Sequence, residues 1–160
     1  MAGKHLATYL NDHLAGSVIG LELAEYLERL HAGDEVGRFA ADLKAEIATD
    51  RRELEELMAQ LNIPSSRPRK AAAWLSEKMT EFKAWMDNPS GGSLRLLEVL
   101  DALSVGIEGK RLLWRALSAA AVPGPSMADY SRLEQRAEDQ RRRVETIRLD
   151  AAKSALEATP

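Results

Sequence analysis

The chain has 160 residues and no cysteine, and its 22 basic and 25 acidic side chains give a formal net charge of −3. This length predicts a single domain over 1–160 that buries its own core without disulfides. Thiolate ligands are excluded, and the near balance of charge disfavours nucleic acid or an anionic membrane as a partner. The first apolar stretch, 14–21, has charged neighbours and predicts a helix face rather than a membrane segment. A cytoplasmic location is the expectation.

Turn-forming residues divide the chain into five segments. The breaks fall at Gly33-Asp34, at Pro64, at 88–93 and at 122–126. They predict helices over 5–31, 34–62, 67–87, 93–121 and 126–158. No strand-like alternation competes with these helices, so the sequence predicts an all-α fold of four long helices and one shorter helix.

Each long helix carries an apolar stripe with 3,4 spacing, and a polar or small residue interrupts it near the middle. These central residues, on the stripe or directly beside it, are Ser17 in the first helix, Glu46 and Asp50 in the second, Lys110 in the fourth, and Ala137 and Gln140 in the last. The sequence predicts that Gln140 faces the interior and hydrogen-bonds to Glu46, Asp50 or water. Lys110 either extends its ammonium to the edge of the core or pairs with Glu46.

The order of two long helices, a connecting helix and two more long helices resembles the ferritin-like family over nearly the whole chain. The segment Leu10-Asn11-x-x-Leu14-x-x-Ser17 is similar to the family's first-helix signature, with serine in place of the ligand glutamate. Glu46 precedes Pro64 much as the second-helix glutamate precedes the end of its helix, and the segment 106–110 is similar to the stretch that carries the next glutamate. The resemblance implies a ferritin-like four-helix bundle with a shorter crossover helix.

Carried over by position, the metal roles of the family fall on Ser17, Glu46, Thr49, Lys110, Ala137 and Gln140. Only Glu46 is a ligand type, whereas a di-iron centre needs about four carboxylates and two histidines from facing helices. The resemblance therefore implies a bundle that has lost its metal site, with no cofactor and no catalytic residue. The expected role is non-enzymatic, either structural or in protein interaction.

Two other functions are compatible with the same residues. A rearranged metal-binding or oxidase-like site would recruit His13, Glu46, Asp50 or Glu108. A small-ligand cavity in the bundle centre would be lined by Ser17, Glu46, Gln140 and Lys110. The second possibility depends on four glycines inside the predicted helices, Gly16 and Gly20 in the first and Gly106 and Gly109 in the fourth. A glycine within a helix lowers the stability of that helix by about 1 kcal/mol relative to alanine. These glycines predict either close helix packing, which is the expectation, or room for a ligand.

The third helix contains two tryptophans, Trp74 and Trp85, beside its own apolar stripe. Because they leave apolar surface to cover, they predict a homodimer contact, with packing over the bundle as the alternative.

Overall fold

The computed structural model describes residues 3–65, 69–88, 91–124 and 127–157. The helices within these residues are α1 (Lys4–Leu30), α2 (Glu35–Gln60), α3 (Arg69–Met86), α4 (Gly92–Ala119) and α5 (Met127–Leu156), and the same residues contain no strand. The predicted all-α class is confirmed, and each predicted helix boundary lies within two residues of the observed one. Across the described ranges, no helix combines the length and apolar character that crossing a membrane requires.

A tight turn joins α1 to α2. Gly33 has a left-handed φ of 95°, and the Asp34 carboxylate caps α2 by accepting a hydrogen bond from the Gly37 N–H at 2.9 Å. A Cβ at Gly37 would lie 2.0 Å from the carbonyl oxygen of His31, so only glycine fits where the two helices meet. The turn thus fixes α1 and α2 as an antiparallel pair.

Helices α4 and α5 form a second antiparallel pair, and the two pairs pack together to form the bundle. Two apolar clusters fill its interior. One contains Leu27 of α1, Leu43 of α2, Leu100 of α4 and Val144 of α5, together with their neighbours. The other contains Leu10 of α1, Leu57 of α2, Leu117 of α4 and Leu133 of α5. The order of these residues shows that α1 and α5 run in one direction and α2 and α4 in the other.

Because α2 ends at the opposite end of the bundle from the start of α4, α3 connects the two ends. Its C-terminal part packs over α1 and the beginning of α4 through Trp85, whose ring stacks on Phe82 at a centroid distance of 5.6 Å. The Arg95 guanidinium lies 3.9 Å from the Trp85 ring centre and donates to the Trp85 carbonyl. Half-buried Trp85 therefore anchors α3 within the chain. The Trp74 side chain lies outside the described part, and the homodimer contact stays a prediction.

Candidate functional site

A network of four polar side chains lies at the middle of the bundle, between the two apolar clusters. Asp50 is 4% exposed and Gln140 is fully buried. The Asp50 Oδ2 accepts hydrogen bonds from the Lys110 ammonium and, at 3.1 Å, from Gln140 Nε2, while its Oδ1 pairs with Arg136. Lys110 also donates to Gln140 Oε1. Residues from α2, α4 and α5 are thereby joined across the core.

Electrostatics explains why each charged group in this network lies beside a group of opposite charge. Burial lowers the pKa of Lys110, and the adjacent Asp50 carboxylate opposes that decrease by stabilising the ammonium. A buried ion left without its partner would cost about 3 to 5 kcal/mol, so each charge here requires the other. Arg136 reaches outward from the same carboxylate to Glu53 at 3.4 Å, which places a second acid beside the second cation.

The seam between α2 and α5 is held largely by ion pairs. Besides the buried pair at Asp50, Glu46 pairs with Arg143 at 2.5 Å and Glu53 with Arg132 at 3.2 Å. The three pairs follow one another along the antiparallel helices. This seam therefore joins the two halves of the bundle through charge, in addition to the apolar contacts at its ends.

The opposite seam, between α1 and α4, contains a cavity of about 500 Å³. Its walls are mostly apolar and come from α1 and α4, with α2 residues beneath, including Ile19, Leu23, Ile47, Leu54, Leu103, Ile107, Leu113 and Trp114. Val105, which is 73% exposed, also lines the cavity. The cavity therefore reaches from the bundle interior towards the surface.

This cavity is lined by Gly16, Gly20, Gly106 and Gly109, so the expectation of close helix packing at these glycines is wrong. A Cβ built on Gly16, Gly106 or Gly109 would meet no heavy atom within 4 Å outside its own helix backbone, and one on Gly20 would only touch Ile47 at 3.8 Å. The glycines therefore leave room between α1 and α4 rather than allowing the backbones to touch.

Polar groups in the cavity wall are few. Lys110 and Asp50 bring part of the buried network to the wall, and Ser17 and His13 lie on the α1 side. The Ser17 hydroxyl donates to the Leu14 carbonyl at 2.6 Å. Burial lowers the pKa of His13 despite the opposing charge of Asp12, which favours the neutral imidazole. The cavity thus suits an apolar molecule with limited polar functionality.

The predicted interior hydrogen bond of Gln140 is confirmed, with Asp50 as its partner. Lys110 pairs with Asp50 and not with Glu46, because Asp50 lies on the buried stripe of α2 whereas Glu46 lies at its edge and faces Arg143. Arg136 was not predicted. Its position four residues before Gln140 places both on one side of α5, and this spacing was the available signal.

The remaining predicted positions do not join this network. Ala137 lies in the apolar core, and the Thr49 hydroxyl donates to the Ala45 carbonyl at 3.0 Å on the outside of α2. Glu108 pairs with Arg111 at 2.7 Å. Among the described residues, no group of three or more histidines and carboxylates is arranged to hold a metal ion.

Comparisons of the chain with protein-family models, curated proteins and solved structures found no match.

Proposed function

We propose that this protein is a non-enzymatic, ferritin-like bundle that binds a small, predominantly apolar molecule in the cavity between α1 and α4. In this proposal the buried ion-pair network stands where the family carries its metal centre. The helix directions and the long connection through α3 support the family relationship. The cavity lined by four glycines carries the proposed binding function.

The volume and composition of the cavity support a ligand site. Its volume of about 500 Å³ falls within the range of roughly 300 to 1,000 Å³ that small-molecule sites occupy. Each of these four glycines weakens its helix by about 1 kcal/mol relative to alanine. An alanine at any of the four positions would clash with no neighbouring atom, so close helix packing does not account for the glycines. A ligand that fills the space they leave would offset that loss.

The polar groups of the cavity favour binding over turnover. Asp50 is held by three partners within the buried network. The Ser17 hydroxyl donates to a backbone carbonyl, so Ser17 is not arranged as an activated nucleophile. Trp114 contributes a buried aromatic side chain to the cavity wall.

The test uses N-phenyl-1-naphthylamine, a neutral apolar fluorophore, titrated into the purified protein. Gly109→Leu should fill the cavity and weaken binding at least about tenfold, equivalent to about 1.4 kcal/mol. Ala116→Leu is the matched control, because Ala116 is exposed on the same helix and does not line the cavity. Both substitutions should leave the protein folded, as circular dichroism would check.

Failure of the parent protein to bind the fluorophore would refute the proposed ligand site, as would equal binding by Gly109→Leu. Elemental analysis tests the metal aspect separately. Stoichiometric iron, manganese or zinc, at about two ions per chain as in a di-iron-type centre, would refute the proposed loss of the metal centre.

A further inference from the structure

Lys110 differs from the lysines that form ion pairs on the surface. Its side chain is 16% exposed, whereas those of Lys44, Lys78 and Lys153 are 37%, 45% and 73% exposed. It also lines the apolar cavity together with its partner, Asp50. A primary amine beside a carboxylate at the wall of an apolar cavity has the components of a carbonyl-binding site.

We infer that Lys110 forms a reversible imine with an apolar aldehyde held in the cavity, with Asp50 as the proton acceptor and counter-ion. This inference rests on the proposed function, since it names the ligand class of the same cavity. The aldehyde carbon reacts with the Lys110 nitrogen, while its apolar chain occupies the space between α1 and α4.

The reaction balances without any further reagent. The Lys110 ammonium first gives a proton to Asp50, and the neutral amine then attacks the aldehyde carbon to form the C–N bond of a carbinolamine. Asp50 returns its proton to the carbinolamine hydroxyl, which leaves as water. The product is a cationic iminium beside the Asp50 carboxylate, so the net reaction converts ammonium and aldehyde into iminium and water.

The arrangement of Asp50 fits both of its roles. Its Oδ1 pairs with Arg136, while Oδ2 receives the hydrogen bonds of Lys110 and Gln140. The oxygen that contacts Lys110 is therefore distinct from the one that Arg136 holds. After condensation the iminium N–H retains Oδ2 as an acceptor, and the positive charge of the nitrogen remains compensated.

The same network disfavours an anionic ligand. The Lys110 ammonium is already paired with a carboxylate, so an incoming carboxylate or phosphate would meet the Asp50 negative charge at close range. A neutral aldehyde avoids this repulsion. Burial, which lowers the pKa of Lys110, raises the fraction of neutral amine at a given pH, and this favours attack.

The experiment uses decanal as the probe, with cyanoborohydride to reduce the imine to a stable secondary amine. Digestion with a glutamate-specific protease and mass spectrometry then locate the adduct. Lys110 should be modified at least about tenfold faster than Lys78, because the cavity holds the aldehyde beside the Lys110 amine, whereas Lys78 forms its ion pair on the surface. Excess decanol, which fills the cavity but cannot form an imine, should protect Lys110 and leave Lys78 unaffected.

Lys110→Arg retains the cation opposite Asp50 and should abolish the cavity adduct, because the guanidinium forms no imine. Adducts confined to surface lysines, or decanol that fails to protect, would overturn the inference. If the fluorophore binds the parent and Lys110 is not modified, the imine is refuted while the proposed ligand site stands. If the parent binds no fluorophore, the proposed function itself fails.

Discussion

The Asp50→Asn substitution tests the buried network most directly. Asparagine retains the shape of aspartate but removes the charge that compensates Lys110 and Arg136. Removing one member of a buried ion pair costs about 3 to 5 kcal/mol. Arg136 is 25% exposed and keeps Glu53 at 3.4 Å, so the loss should fall near the lower value, at about 3 kcal/mol.

Chemical denaturation at pH 7 measures this loss as the change in free energy of unfolding. A domain of this kind has a stability of about 5 to 15 kcal/mol, so the variant should remain folded and measurable. Glu46→Gln is the control, because it breaks the more exposed ion pair with Arg143 and should cost no more than about 1 kcal/mol. Adding Lys110→Met to Asp50→Asn should recover at least about 1 kcal/mol, since the unpaired ammonium is removed.

The network interpretation would be refuted if Asp50→Asn destabilised the protein no more than Glu46→Gln. It would also be refuted if Lys110→Met and Asp50→Asn added independently, because a shared ion pair requires the two effects to be coupled.

Gln140, His13 and Trp85 can each be tested by a single substitution. Gln140→Leu should cost about 1 to 3 kcal/mol, because it removes two hydrogen bonds of the buried network, and a neutral or stabilising effect in denaturation would contradict this. Because the folded pKa of His13 is lowered, the unfolded chain binds more protons near pH 6, so stability should fall as the pH drops through the ordinary histidine range. His13→Gln should reduce this fall between pH 7.5 and 5.5, and an identical pH dependence in both proteins would count against it. For the proposed homodimer, Trp85→Ala should weaken association in sedimentation, whereas a monomeric parent would exclude the dimer.

The sequence by itself determined the helices and most of the core. Glycine, proline and capping residues end helices through local backbone geometry, and the 3,4 spacing of apolar residues shows which face is buried. Gln140 was therefore correctly predicted to face the interior, since its position on the α5 stripe depends only on helix periodicity.

Only the tertiary structure decided which partner each interior charge takes and whether the helices touch. Asp50 and Glu46 lie four residues, or about one helical turn, apart on α2, and the position of Lys110 along the bundle axis decides which of them it meets. The glycines were ambiguous for a related reason, because the absence of a side chain permits either contact or a void. The packing of all the helices together sets the distance between α1 and α4. That distance leaves a cavity beside the glycines.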